Sequence, residues 1–208
     1  WKWDQSDATL AAVAPHRHFR HYPVYSDTLF GFLNRVASRL EGEFPDRLIT
    51  TYSYQWTEQV PQFPVHRNVV PFLTADRSQW FDPAFKAEDQ DLIRRWVQAG
   101  PRVVGAYDYY YGAPFLVPRP TLFAVAESIP FLHRAGVRAF YAEVYPNWAL
   151  YGPKAWLAAQ LLWDATQDPQ ALLDDYFARY WKEAAAPMRR FFAICDRQYL
   201  GQPRPGYW

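Results

Sequence analysis

The sequence predicts an α/β chain built on a parallel sheet: the C-terminal half of a (β/α)8 TIM-type barrel, followed by a helical C-terminal extension. Three observations carry this prediction. Four short apolar runs rich in β-branched and aromatic residues alternate with stretches of helical periodicity. Each run leads into a loop in which a carboxylate sits beside aromatic rings, as in "VVGAYDYYYGAPF" from Val103 to Phe115. Beyond Gly152 every apolar pattern is helical. A complete barrel takes about 250 residues, so four units within 208 correspond to half of one. The expected layout is a partial barrel over residues 1–152 and a helical segment over 153–208 packed on it. A freestanding doubly wound sheet is the competing fold, but four strands would give it a small core and it lacks a phosphate-binding glycine motif.

Taken in order, residues 1–25 read as irregular, with a basic, ring-rich run "PHRHFRHYPVY". His16, His18 and His21 in that run match no zinc spacing and have no cysteine or acid beside them, so a solvated loop is expected and no metal. Ser26 is placed to cap a helix in which Leu29, Phe32, Leu33, Val36, Ala37 and Leu40 recur at helical spacing, ended by Gly42 and Pro45. "RLITTYSY" follows as a strand, then a loop with two prolines. "NVVPFLT" is the next strand, with Pro71 arguing against a central position because proline gives no ladder N–H. A helix from about Lys86 to Ala99, stopped by Gly100 and Pro101, leads to "VVGAYDYY". "TLFAVAE" reads as one helical segment, and Ser128 as the cap of a second with Pro130 in its first turn. After Gly136, "VRAFYAEVY" is the last strand. Pro153 opens one helix, Asp168 and Pro169 cap and open another, and Pro187 marks a third. Trp156, Leu161, Trp163, Leu172, Leu173, Phe177, Trp181, Phe191 and Phe192 are its expected core.

Composition narrows the function. Lys plus Arg number 22 against 21 Asp plus Glu, and this near-neutrality argues against nucleic acid or anionic membrane as partner. No G-x-G-x-x-G or G-x-x-x-x-G-K-[ST] occurs, so backbone amides are not arranged to cradle a dinucleotide or a P-loop phosphate, and no cofactor is expected. The lone Cys195 excludes an internal disulfide and a cysteine metal cluster. No apolar run is long enough to cross a bilayer. The aromatic share of 19%, with 10 Trp and 15 Tyr, is roughly twice the ordinary value for a soluble domain. The start at Trp1, with no initiator Met or signal peptide, suggests a piece of a longer polypeptide, so the fragment alone is expected to be inactive.

Specific runs add a family resemblance. "YSDTLFGFLNRVASRL", "DRLITTYSYQWTEQVP", "NVVPFL", "VVGAYDYY", "ESIPFLHRAGVRAFYAE" and "LLWDATQDPQALLDDYFARYW" resemble, in that order, the bacterial domain-of-unknown-function family 4838 over about residues 26–195. The resemblance implies a TIM-barrel relative of glycoside hydrolases, akin to α-glucuronidases and hexosaminidases. It implies a sugar substrate more firmly than a reaction. Tyr180, Trp181 and Lys182 stand where relatives tend to have Tyr-Tyr-Gly, a departure confined to the helical tail. By this alignment Trp1 falls just past the fourth barrel strand, whose end supplies an acid in related barrels.

The chemistry expected follows from the strand ends. Loops after the carboxyl ends of parallel strands gather on one face and host the site. Glycoside hydrolysis uses two carboxyl groups, one to protonate the leaving oxygen and one to attack or to activate water. Asp108 and Glu143 end neighbouring strands and are the catalytic candidates: Glu143, between Tyr141 and Tyr145, as proton donor and Asp108 as base or hydroxyl binder. A structural acid is the alternative for each, Asp108 holding loop amides and Glu143 paired with an arginine such as Arg138. Tyr54, Trp56, Tyr109, Tyr110, Tyr145 and Trp148 are candidate platforms for sugar faces, with Asn147 and Glu58 as hydroxyl partners. Glu58 and Asp76 lie further into loops, where a solvated acid is the simpler reading.

The partner expected is an oligosaccharide or polysaccharide, with no nucleic acid and no membrane. An extracytoplasmic location would suit a bacterial glycan-acting parent, while the sequence leaves oligomeric state, sugar and stereochemical course open. The alternatives to a hydrolase are a barrel that binds glycan without cleaving it and a structural or interaction domain whose rings form an interface.

Overall fold

A computed structural model describes residues 4–15, 17–110, 119–144 and 147–203. Its centre is a parallel sheet of four strands in the order β3 (Ile49–Ser53), β4 (Val69–Thr74), β5 (Gly105–Tyr109) and β6 (Ala139–Glu143). All four predicted strands are present, in chain order across the sheet, each joined to the next through helical structure. The mixed α/β class with a parallel sheet is therefore established.

The described residues among the first 25 are more regular than expected. Ser6 caps a short helix α1 (Asp7–Ala12), its side chain accepting from Thr9 N, and β1 (His18–Phe19) pairs antiparallel with β2 (Tyr22–Pro23). Helix α2 (Ser26–Leu40) starts at the residue expected to cap it: Tyr25, one residue earlier, holds the cap position and makes no side-chain bond. Ser26 is instead fully buried, while Asp27 reaches out to Arg17 and to Gln62.

Pro71 lies within β4, an inner strand, against expectation. It faces Thr51 of β3 and precedes by one residue the ladder with β5, which begins at Phe72. A missing N–H there breaks no bond on the β5 side. Helix α3 (Pro83–Gln98) begins ahead of Lys86 because Asp82 accepts from Phe85 N at 2.8 Å and Pro83 suits a first helical turn. A turn of 3-10 helix, Arg77–Phe81, precedes it.

Two expected segments around Ser128 form one helix, α4 (Leu122–Ala135), with Pro130 inside it. The buried stripe of Leu122, Val125, Ile129 and Leu132 runs through unbroken, and its burial at about 1.5–3 kcal/mol per side chain offsets the proline's lost bond. Likewise α5 (Trp148–Trp163) contains Pro153 rather than starting at it. Helix α6 (Pro169–Trp181) is capped by Asp168 as expected, and α7 (Ala185–Leu200) carries Pro187. Of the expected helical core, Leu161, Leu173, Phe177 and Phe192 are buried, but Trp163 is 91% exposed at the end of α5.

The chain forms two compact units that interleave in sequence. The first comprises Trp1–Ala75, Gln90–Tyr107 and Ala135–Tyr141; the second comprises Asp76–Asp89, Asp108–Arg134 and Ala142–Trp208. In the first, Phe30 of α2 packs on Trp96 of α3 with ring centroids 4.9 Å apart, and both are fully buried. The Trp96 indole donates to Glu58 O at 2.8 Å, so its N–H is satisfied on burial. In the second, Phe177 of α6 meets Phe192 of α7 at 5.4 Å.

Candidate functional site

In the first unit the sheet has two unlike faces. The register pairs Tyr52 with Phe72 and Phe72 with Gly105, which sets Tyr52, Phe72 and, two residues on, Tyr107 on one face. Tyr107 stacks on Tyr141 of β6 at 4.8 Å and meets Tyr52 edge-on at 5.3 Å. The rings thus form a continuous strip across the sheet. Tyr52 is 60% exposed and Tyr141 53%, whereas Ser53, Val69, Leu73 and Ala106 on the other face are buried. A cleft of about 430 Å³ opens here, lined by Thr50, Thr51, Tyr52, Phe72, Phe140 and Tyr141. Gly105 makes room for the Phe72 ring, which would lie only 2.7 Å from a β-carbon at 105.

The same register separates the two acids. Ala139 N reaches Val104 O at 3.4 Å and Tyr110 N donates to Glu143 O at 2.9 Å, which pairs Tyr109 with Glu143. Along β6, Glu143 shares a face with Tyr141; along β5, Asp108 shares one with Ala106. Because Tyr107 and Tyr141 stack, Asp108 and Glu143 leave opposite faces of the sheet. Alternation within one strand can be read from sequence, but how neighbouring strands match cannot.

Asp108 is buried in the second unit. Its Oδ1 accepts from Tyr109 N at 2.8 Å and Arg77 N at 3.2 Å, and its Oδ2 lies 3.7 Å from Arg77 Nη1. Arg77, wholly buried, also approaches Asp89 Oδ2 at 3.2 Å, and Asp89 accepts from the Trp80 indole at 2.9 Å. Burial pushes the Asp108 carboxyl up to about 6, against the pull of Arg77 and with the help of nearby Asp76. Desolvation therefore outweighs the ion pair.

A second group of buried polar residues adjoins it. Asp76, read from sequence as a solvated loop acid, is 5% exposed because it caps the 3-10 turn at Ser78 N (3.1 Å) and takes Arg119 Nη2 at 2.7 Å. Arg119 also lies over the Tyr199 ring at 5.3 Å. Lys154, 2% exposed, donates to Arg119 O at 2.9 Å and sits 5.8 Å from the centroids of Tyr110 and Tyr151. Burial, then repulsion from Arg119, lowers its ammonium to about 7. Lysine is ordinarily exposed, so its burial was not legible from residue type alone; the nearly all-apolar run around it in α5 is the signal that could have found it.

The remaining candidates fall in several places. Glu58 is a buried acid, not a solvated one, because it forms an ion pair with Arg20 and its carbonyl receives Trp96. Trp56 is half-buried against Tyr22 and Tyr25, with ring centroids at 6.2 and 5.4 Å, and Tyr54 heads the 3-10 turn Gln55–Thr57. Tyr110 is buried beside Lys154, while Tyr109 is half-buried opposite Glu143. Asn147 is exposed, and its carbonyl accepts from Leu150 N and Tyr151 N at the head of α5; Trp148, next in line, is 57% exposed. Tyr145, and His16 of the histidine run, lie outside the described residues. Among the described residues no group of three or more His, Cys, Asp or Glu could hold a metal ion, and no helix is long and apolar enough to cross a membrane.

Sequence reasoning missed the ring strip of Tyr52, Tyr107 and Tyr141. A signal existed: "ITTYS", "GAYDY" and "AFYAE" each put a tyrosine at the third or fourth residue of a five-residue strand.

Fold and residues together define a parallel α/β chain with one aromatic sheet face. It belongs to the family described as Domain of unknown function (DUF4838), whose model matches residues 11–193. No curated protein and no solved structure matches it.

Proposed function

We propose that this chain is the C-terminal half of a (β/α)8-type barrel in a carbohydrate-active protein of glycoside-hydrolase type. The observation that carries the reading is the one-sided sheet: an exposed tyrosine face, with Glu143 placed by strand alternation on that face at the carboxyl end of β6. Glu143 is the acid that this chain contributes. It protonates the glycosidic oxygen as the C–O bond breaks, and a second carboxyl group from another part of the barrel attacks the anomeric carbon or activates water. Asp108, the other acid expected at the strand ends, serves structure by holding the Arg77 segment.

The test is Glu143→Gln in the full-length protein, assayed on a panel of aryl glycosides and oligosaccharides. Loss of a general acid lowers turnover by about 10²–10⁴-fold. Activity within a few-fold of wild type would remove Glu143 from the mechanism.

A second reading is a barrel that binds glycan without cutting it. It is favoured by the burial of Asp108, which leaves Glu143 as the single acid of the expected pair on the tyrosine face. Saccharide binding without turnover across the panel, lost in Tyr141→Ala and kept in Glu143→Gln, would select it.

A further inference from the structure

Resting on the hydrolase reading above, we infer that Asp108 is a positioning residue for Glu143: the backbone it holds at the end of β5 fixes the stretch of β6 from which the acid leaves the sheet. One carboxylate oxygen, Asp108 Oδ1, accepts from Tyr109 N at 2.8 Å and from Arg77 N at 3.2 Å. The next amide along, Tyr110 N, donates to Glu143 O at 2.9 Å. Two consecutive amides therefore link the buried acid to the one on the tyrosine face, although their side chains leave opposite faces. Tyr110 is held at its ring as well. The ring is buried, with Lys154 Nζ 5.8 Å from its centroid, and Lys154 is tied to Arg119 O at 2.9 Å. Arg119 in turn reaches Asp76 at 2.7 Å.

Stability alone does not account for Asp108. Burial raises its carboxyl to about 6, with Arg77 opposing the rise and Asp76 adding to it, so above that pH its charge costs the folded state. An acid that weakens the fold near neutrality, yet gathers two amides at a strand end, is explained by the geometry it imposes. A general acid needs that geometry. Displacement by about 1 Å costs on the order of 10²-fold in rate. Groups carried on hydrogen-bonded strands are placed more closely than groups on loops. Tyr109 N and Tyr110 N belong to adjacent residues, so a shift at the first is passed to the second and on to Glu143.

The experiment compares Asp108→Ala and Asp108→Asn with Glu143→Gln in the full-length protein, on aryl glycosides of several sugars in both anomers. Their leaving groups run from dinitrophenol to phenol. Dinitrophenolate departs without a proton, whereas phenolate needs one, so a missing or misplaced acid shows as a preference between them. The expected result is a dinitrophenyl-to-phenyl ratio of kcat/KM raised about 10²-fold in Glu143→Gln and about tenfold or more in Asp108→Ala. In Asp108→Asn the rise should be smaller, because an oxygen for the two amides is kept while an NH2 group replaces the oxygen facing Arg77. Combining Asp108→Ala with Glu143→Gln should raise the ratio no further than Glu143→Gln alone. Folding is checked by circular dichroism, and Asp108→Asn carries the comparison where Asp108→Ala does not fold. An unchanged ratio in the Asp108 variants, an equal fall on every leaving group, or a rise that adds to that of Glu143→Gln would overturn the positioning role and leave the hydrolase reading standing. A Glu143→Gln variant with no leaving-group preference, or no turnover of any glycoside by wild type, would overturn both.

Discussion

The burial of Asp108 has a measurable consequence in the pH dependence of stability. Its carboxyl sits at about 6 in the folded chain, against an ordinary 3.8, because burial outweighs Arg77. Between those values the folded state holds a proton that the unfolded state has released. Stability from this group therefore falls as pH rises from about 4 to about 6, and is flat above. At about 1.4 kcal/mol per pH unit the displacement amounts to roughly 3 kcal/mol. Asp108→Asn keeps an oxygen for the N–H groups of Arg77 and Tyr109 but cannot ionise. The variant should therefore gain on wild type by roughly 3 kcal/mol between pH 4 and pH 7.5, whatever its absolute stability at either end. Urea unfolding followed by tryptophan fluorescence at half-unit pH steps reads the difference directly. Parallel pH profiles for the two proteins would refute the reasoning, for they would mean that Asp108 titrates as a solvated carboxyl.

Lys154 gives the opposite slope in another window. Its folded value of about 7 lies below the ordinary 10.5, so wild-type stability should rise as pH increases between them, and Lys154→Met should abolish that rise, an effect on the order of 3 to 5 kcal/mol. Equal slopes in thermal melts from pH 7 to 10 would contradict the buried placement. Gly105→Ala forces a β-carbon to 2.7 Å from the Phe72 ring. It should cost about 1–3 kcal/mol in chemical denaturation as the ring is displaced; unchanged stability would show that the ring moves freely.

Much of the fold was legible because strands and caps are local. The β-branched and aromatic runs marked all four strands, and Asp168 with Pro169 marked a helix start, since each signal needs only its neighbours in sequence. Pro130 and Pro153 misled for the converse reason: local chemistry asks for a break, while the buried stripe on α4 and the apolar length of α5 hold a single helix. The site was harder. Asp108 and Glu143 were found as strand-end acids, but their facing depends on inter-strand register, which stacked Tyr107 and Tyr141 reveal and sequence does not. Glu58 and Asp76 were expected in water because their arginine partners are 38 and 43 residues away in sequence.

Glu143 leaves β6 on the tyrosine face of the sheet, whereas Asp108 leaves β5 on the other face and is buried. Carbodiimide labelling of carboxylates in the native protein, read by mass spectrometry, tests it most directly. Glu143 should be modified in the folded state, and Asp108 only as the chain unfolds. Native-state labelling of Asp108 at the rate of Glu143 would contradict it.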